Sequence, residues 1–158
     1  MAQKKFASFY IGDTLFGIDI LLVREINRSI EITPVDLVVE SIRGLINLRG
    51  QLVTIFDLGV QLGIRKTEQT RATRCIILKT NNEIANLPNA EELDDSTSDD
   101  FVGFLVDKIG DIVTADTDII EPPPAHLTGI ERKFIKGVFK LDKKLLIILN
   151  TESILTVA

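Results

Sequence analysis

Residues 42–58 are I-R-G-L-I-N-L-R-G-Q-L-V-T-I-F-D-L, two apolar runs on either side of Arg49-Gly50. Glycine adopts positive φ in a tight turn without a steric penalty, and a short turn between two apolar runs is typical of a β-hairpin. The pattern returns at residues 135–151 as I-K-G-V-F-K-L-D-K-K-L-L-I-I-L-N-T, at a constant offset of 93 positions. The sequence therefore predicts the same hairpin twice.

A second pair of similar stretches precedes the two hairpins. Residues 16–26, F-G-I-D-I-L-L-V-R-E-I, align with residues 102–112, V-G-F-L-V-D-K-I-G-D-I, and Gly17 falls on Gly103. A proline follows each stretch before its hairpin begins. Matching elements in the same order indicate a duplicated supersecondary unit, which predicts two similar subdomains.

The second copy carries an insertion at residues 81–100, called here the acidic segment. It contains seven carboxylates and no lysine or arginine. Without it the chain has 18 basic and 16 acidic residues, so the formal net charge changes from -5 to +2. Such a composition is typical of an exposed, mobile loop. The acidic balance is therefore expected to belong to this loop and not to the folded body.

Short apolar runs separated by glycine and proline, with few helical windows, predict an all-β fold. Many runs are apolar on both faces, which favours two small five-stranded β-barrels packed side by side. We expect the first barrel over about residues 12–73. The second is expected over about residues 74–158, together with an N-terminal strand at 5–11. Helices should be short, such as a single turn after Asp57.

The single cysteine, Cys75, lies in the apolar run C-I-I-L, where a buried and unreactive thiol is expected. One cysteine excludes an internal disulfide and is compatible with a reducing cytoplasm. No apolar run approaches the roughly 20 residues of a membrane-spanning helix. The first ten residues lack the apolar core of a secretory signal. These features predict a cytoplasmic protein.

Residues that could perform catalysis are scarce. His126, the only histidine, follows three prolines and is expected in a loop. No second histidine or cysteine is present to complete a zinc site or a thiol–imidazole pair, and no phosphate-binding glycine motif occurs. The run D-D-S-T-S-D-D at 94–100 lacks the turn glycine and distal glutamate of a calcium loop. We therefore expect no enzymatic activity, no catalytic residues, no metal and no cofactor.

Small five-stranded barrels can also bind single-stranded nucleic acid through a basic groove and exposed aromatic rings. Tryptophan is absent, Tyr10 is the only tyrosine, and most of the eight phenylalanines lie in apolar runs. Lysine and arginine form no stripe. The composition favours a module that binds partner proteins through exterior patches and the groove between subdomains. A small-barrel nucleic-acid-binding module is the alternative.

Several motifs resemble the CheW-like chemotaxis coupling proteins. They are Y-I-G-D-T-L-F-G-I-D-I-L-L-V-R-E-I, I-T-P-V-D, the two hairpins and V-G-F-L-V-D-K-I-G-D-I. The resemblance extends from Phe6 to about Leu155, and N-L-R-G before an apolar strand ending in D-L is specific to the family. It implies one CheW-like domain over residues 1–158, two five-stranded barrels and no enzymatic activity. The acidic segment departs from the family's usual short turn.

The resemblance also implies partners. CheW-like adaptors hold the cytoplasmic tip of a chemoreceptor to the histidine kinase CheA, whose regulatory domain is itself CheW-like. This implies a cytoplasmic scaffold recruited to membrane-associated receptor arrays, without nucleic acid or direct membrane contact. The residues that match the family's receptor- and kinase-binding positions are Val23, Glu25, Gly44 and Arg49. A packing role is an equal alternative for Val23 and Gly44, whereas charged side chains rarely enter small β-cores.

The two copies differ at Arg49. Positions that serve the fold should agree between the hairpins, yet Arg49 falls on Asp142, and the turn glycine is also replaced. The two turns should therefore differ in shape, and a cation at the first tip is not required to form the hairpin. Glu25, a candidate neighbour of Arg49, falls on Asp111 and keeps its charge sign. We predict that Arg49 binds a partner; the alternative is a surface Arg–Glu pair that stabilises the fold.

Overall fold

The computed structural model describes residues 3–28, 31–35, 39–93, 95–124 and 129–156. These residues form ten strands and three short α-helices. The strands are β1 (Gln3–Ile11), β2 (Thr14–Asp19), β3 (Val23–Asn27), β4 (Ile42–Leu48), β5 (Gln51–Asp57), β6 (Arg74–Leu78), β7 (Val102–Val106), β8 (Lys108–Asp116), β9 (Ile135–Lys140) and β10 (Leu145–Leu149). The helices are α1 (Leu58–Gln61), α2 (Asn81–Ala85) and α3 (Thr151–Leu155), with 3₁₀ turns at Ile20–Leu22, Ala90–Glu92, Thr117–Ile119 and Arg132–Phe134. The prediction of a mostly β fold with few short helices is confirmed.

The strands form two five-stranded sheets. Sheet A has the order β8-β1-β2-β10-β9, and sheet B has the order β3-β6-β7-β5-β4. The β2–β10 and β5–β7 pairs are parallel, and the other neighbours are antiparallel. Each sheet ends in two edge strands that share no backbone ladder, so no closed barrel occurs in the described part of the chain. The expectation of closed barrels is corrected to two open five-stranded sheets.

The two sheets follow one plan. Each strand of one sheet has a counterpart in the other: β8, β1, β2, β10 and β9 of sheet A correspond, in that order, to β3, β6, β7, β5 and β4 of sheet B. The register agrees as well, because Gly17 pairs with Ile148 and Gly103 pairs with Ile55, which lies 93 positions before Ile148. The structure thus shows the duplication that the sequence comparison predicted.

The sheets do not follow the boundary expected at residues 73 and 74. Sheet B is built from the continuous stretch β3–β7, whereas sheet A combines β1 and β2 with β8, β9 and β10. The chain crosses from sheet A to sheet B in the short turn Ile20–Leu22 and returns at Asp107. The first copy, β1–β5, gives its first two strands to sheet A and the other three to sheet B. The second copy, β6–β10, gives its first two strands to sheet B and the other three to sheet A.

The apolar core has three layers. Sheet B encloses one cluster around Val53, Ile55 and Ile77, and sheet A encloses another around Phe6, Leu15 and Ile148. The largest cluster lies between the sheets and includes Phe9 and Phe16 of sheet A with Ile76 and Phe104 of sheet B. Strands in both sheets are therefore buried on both faces, which explains why many runs do not alternate between apolar and polar residues.

Cys75 lies in the cluster inside sheet B and is fully buried. Burial raises the pKa of its thiol to about 12, because the surroundings disfavour the thiolate. The prediction of a buried, unreactive thiol is consistent with this position.

Both hairpins lead into a capped helix. The Asp57 side chain accepts a hydrogen bond from the Val60 amide at the start of α1. The Asn150 side chain, 93 positions later, accepts one from the Ser153 amide at the start of α3. Side-chain oxygens at this position satisfy amides that have no partner within the helix. The short helical turn predicted after the first hairpin is confirmed.

Asp57 also forms a buried ion pair. Arg43 Nη1 lies 2.9 Å from Asp57 Oδ2. The amide and the hydroxyl of Thr67 each donate to the same carboxylate at 2.9 Å. Asp57 is completely buried, so Arg43 neutralises a charge that water cannot reach.

The acidic segment differs from the exposed loop that its composition predicts. Its helix α2 begins with a capping box, in which Thr80 and Glu83 each accept a hydrogen bond from the other's amide. Ile84 is buried, and Asp95 forms an ion pair with Lys136 of β9 at 2.7 Å. The segment therefore packs on the body of the protein, because it supplies its own helix cap and an apolar anchor.

Two features singled out in the sequence, His126 and Asp94, lie outside the described residues. Within the described ranges, no group of three or more His, Cys, Asp or Glu side chains is arranged to hold a metal ion. The helices in those ranges also include none that combines the length and apolar character needed to cross a membrane.

Candidate partner-binding site

The tip of the first hairpin is a two-residue turn. Arg49 has a φ of 51° and Gly50 a φ of 88°, and Arg49 is the only non-glycine residue with positive φ among the described residues. Two successive positive φ angles are typical of a type I′ turn, which matches the twist of the flanking strands and favours Asn-Gly. The Gly50 amide donates to Asn47 Oδ1 at 2.9 Å and fixes the turn. Arginine is a costly choice for the first turn position.

The second hairpin turns differently. Its strands end at Lys140 and resume at Leu145, and the Leu141 amide donates to the Lys144 carbonyl across a longer loop. The predicted difference in turn shape is confirmed. Arg49 and Asp142 therefore occupy turns of different geometry as well as opposite charge.

Arg49, in the turn after edge strand β4, forms a two-point ion pair with Glu25 on the other edge strand of sheet B, β3. Arg49 Nη2 donates to Glu25 Oε1, and Nη1 lies 3.4 Å from Oε2. The hydrogen bond and the negative charge of Glu25 raise the pKa of Arg49, so the guanidinium stays cationic. The Arg49 side chain is 65% exposed and the Glu25 side chain 29%. The pair therefore presents both charges to solvent in a fixed arrangement.

Arg24 joins the same surface from a β-bulge. The β3–β6 register shifts between Val23 and Glu25, which leaves Arg24 without a paired residue on β6. Its guanidinium lies 3.3 Å from Gln51 Oε1, beside the hairpin tip, and 5.3 Å from the centre of the Phe101 ring. Arg24 is not among the residues predicted from the sequence, since a bulge has no reliable signature in one sequence.

Arg24 also connects this surface with the acidic segment. Its Nε lies 3.8 Å from Glu83 Oε2 on α2, and both side chains are about one-third exposed. The pattern T-N-N-E that begins at Thr80 is the sequence signature of a capping box and could have predicted α2. Its contact with Arg24 depends on the fold.

Val23 and Gly44 occupy different surroundings from Arg49. Val23 is half-buried, pairs with Leu78 and packs against the core between the sheets. Gly44 is buried at the far end of the hairpin, five residues from the tip, or roughly 17 Å along the strand. It has a φ of 146°, and a Cβ added there would lie 2.1 Å from the Thr33 carbonyl oxygen. Of the four predicted residues, the structure brings only Glu25 and Arg49 into direct contact.

A profile of the CheW-like domain matches residues 5–158, nearly the whole chain. The chain belongs to the CheW-like domain family. This CheW-like protein is 28% identical over 152 residues to the probable chemotaxis protein CheW of Rhizobium etli, covering 96% of this chain and 87% of that protein. It is 27% identical over 159 residues to the chemotaxis protein CheW of Thermotoga maritima, covering 98% and 90%.

A solved structure agrees with this assignment. The crystal structure of the scaffolding protein TtCheW from Thermoanaerobacter tengcongensis superposes on the CheW-like chain with a TM-score of 0.75 and 30% sequence identity. The match covers 94% of this chain and 85% of TtCheW. The resemblance predicted from the sequence motifs is confirmed.

Proposed function

We propose that this CheW-like protein is a non-enzymatic adaptor that couples the cytoplasmic tip of chemoreceptors to the regulatory domain of the histidine kinase CheA. In this proposal it acts in the cytoplasm and joins receptor arrays at the membrane through its partners. Val23, Glu25, Gly44 and Arg49 mark the binding region. Glu25 and Arg49 make contact with the partner, while Val23 and Gly44 hold the strands that present them.

The observation that carries the proposal is the conformation of Arg49. A type I′ turn is more easily formed with asparagine or glycine at this position, and the second hairpin folds with Asp142 at the aligned site. The fold therefore does not require arginine at the tip. An arginine at this position, exposed and oriented by Glu25, is explained by recognition of a partner.

The alternative of nucleic-acid binding lacks the surface it needs. All eight phenylalanines and Tyr10 are described, and every one of these rings is buried or half-buried. Binding of single strands without sequence preference relies on exposed rings on which bases stack. Recognition of proteins by charged and apolar patches is therefore the better supported function.

Arg49→Asn tests the proposal. Asparagine tolerates the left-handed turn, so its conformational advantage should offset the lost ion pair, and the thermal midpoint should stay within about 3 °C of wild type. Titration against a CheA regulatory domain and a receptor cytoplasmic fragment should show saturable binding by wild type, typically in the micromolar range. Assembly of all three components should weaken at least tenfold for Arg49→Asn.

Asp142→Asn is the matched control, because it removes a charge from the other hairpin tip. It should assemble like wild type. Normal assembly by Arg49→Asn, or loss of assembly only in proportion to unfolding, would show that the arginine serves stability alone. ATP hydrolysis by the purified protein, or tight single-stranded DNA binding at physiological salt, would contradict the adaptor proposal itself.

A further inference from the structure

A cavity of about 390 Å³ opens beside strands of sheet A, whereas the tip of the first hairpin belongs to sheet B. Its lining includes two cations and two anions, Lys4, Asp19, Asp95 and Lys136, above the apolar side chains of Phe6 and Ile120. A cavity of this size can hold a small ligand, and a few convergent polar groups over an apolar floor are typical of a binding site.

The fold explains only part of the role of Asp19, whose carboxylate is buried. It is aligned with Leu105 between the two copies, and the register confirms this because Asp19 pairs with Phe6 as Leu105 pairs with Cys75. Leu105 is completely buried, and Asp19 is only 4% exposed. Sheet B therefore forms the same strand position with an apolar side chain. A buried carboxylate at this position costs free energy that the fold itself does not require.

The hydrogen bonds of Asp19 are incomplete. Its Oδ1 accepts from the Leu21 amide at 2.9 Å and caps the turn into sheet B. Its Oδ2 is buried and has no hydrogen-bond partner in the described structure. Lys4 Nζ, at 3.7 Å, balances the charge but stands beyond hydrogen-bond distance. Buried polar atoms are nearly always paired, so Oδ2 keeps the capacity to accept a hydrogen bond.

The other charged pair completes the arrangement. Lys136 Nζ lies 2.7 Å from Asp95 Oδ1, and Asp95 comes from the acidic segment. The cavity thus offers carboxylate oxygens and ammonium groups together, with no net charge from these four residues. A ligand with one charge of either sign would add a net charge to a cavity whose four charges cancel. A zwitterion would match both kinds of group, and the apolar floor would take an apolar body.

We propose that this cavity binds a small zwitterion with an apolar side chain, of the α-amino-acid class. The ligand's ammonium group donates to Asp19 Oδ2. Its carboxylate binds Lys4 and Lys136, and its side chain lies over Phe6 and Ile120. The site is separate from the adaptor surface around Arg49 and does not depend on that assignment.

L-Leucine is a suitable probe, with two analogues that each lack one charge. Isoamylamine lacks the carboxylate, and 4-methylpentanoate lacks the ammonium group. Calorimetric titration of the full chain should give saturable leucine binding, with each analogue at least tenfold weaker. Leucine should also raise the thermal unfolding midpoint, because a ligand that binds only the folded state stabilises it.

Asp19→Asn retains an oxygen to cap the turn at Leu21 and removes the charge at Oδ2. It should lose at least tenfold in leucine affinity while keeping or raising the unfolding midpoint in the absence of ligand. Asp13→Asn, an exposed change of equal charge at the far end of β1, should bind like wild type. The proposal is overturned if leucine fails to bind through the millimolar range, if either analogue binds as well as leucine, or if Asp19→Asn binds normally.

Discussion

The variant Gly44→Ala should unfold at a much lower temperature than wild type. Its stability and its partner binding, measured separately, would show whether this candidate site residue serves the fold or the contact with a partner. The added Cβ would lie 2.1 Å from the Thr33 carbonyl oxygen, so the two segments must move apart. That movement breaks two backbone hydrogen bonds between Thr33 and Leu45, of 2.8 and 2.9 Å. At about 1 kcal/mol each, with about 1–3 kcal/mol for a side chain at a φ of 146°, the cost is about 3–5 kcal/mol.

The aligned glycine of the second copy provides the control. A Cβ on Gly137 would meet the Cγ2 methyl group of Ile120 at 2.8 Å and the Glu121 carbonyl at 3.0 Å, and Gly137 does not have positive φ. Gly137→Ala should therefore cost only about 1–2 kcal/mol. Thermal unfolding followed by circular dichroism should show a drop of roughly 6–20 °C for Gly44→Ala, at 2–4 °C per kcal/mol.

Binding of the folded variant to a CheA regulatory domain, measured well below its midpoint, completes the test. We expect it to be close to wild type. Equal losses of stability in the two variants would refute the steric argument. Normal stability of Gly44→Ala with lost binding would show that this glycine contacts the partner directly.

Three further predictions concern other parts of the molecule. Arg43→Met should destabilise the protein by about 3–5 kcal/mol in urea unfolding, because it leaves the carboxylate of Asp57 buried without a cation. Asp57→Asn in the same chain should restore most of the lost stability. If it does not, the loss comes from packing and not from the charge. The pKa of Cys75 is raised to about 12 in the folded protein, so the stability that the neutral thiol contributes below about pH 9 should be lost as the pH rises toward 12. The free energy of unfolding of Cys75→Ala should fall less steeply over this range. Parallel curves of unfolding free energy against pH would contradict this. Glu83→Gln keeps the capping box but removes the charge beside Arg24. The affinity for a CheA regulatory domain should then fall roughly two- to fivefold with an unchanged unfolding midpoint. An unaffected affinity would show that the acidic segment does not influence the candidate surface around Arg49.

Much of the fold could be predicted from the sequence because its pattern occurs there twice. The offset of 93 positions located both hairpins, and Asp57 and Asn150 occupy the same capping position after them. The exchange of strands between the sheets was not accessible. β2 and β7 carry the same apolar pattern, and either could pair with β5 or with β10. The short turn at Ile20–Leu22, which commits the chain to cross over, has no distinctive composition.

The candidate binding surface could be predicted from the sequence only in part. Arg49 and Glu25 were selected from motifs and from charge differences between the copies, and they meet in space. Arg24 was missed because its position depends on a bulge. The acidic segment was expected to be an exposed loop because composition outweighed the capping pattern at Thr80 and Glu83. Local motifs that satisfy backbone groups deserve weight even inside highly charged stretches.

The exchange of strands sets an order of events during synthesis on the ribosome. β1 and β2 emerge first, but their remaining neighbours in sheet A end at Leu149, 130 residues after Asp19. At about 5–20 residues per second, the pair of strands β1 and β2 waits roughly 7–26 s for those neighbours. Sheet B can assemble during that interval from one continuous stretch. The apolar faces of β1 and β2 are therefore the part of the newly synthesised chain most in need of protection from aggregation. Sheet A is completed last.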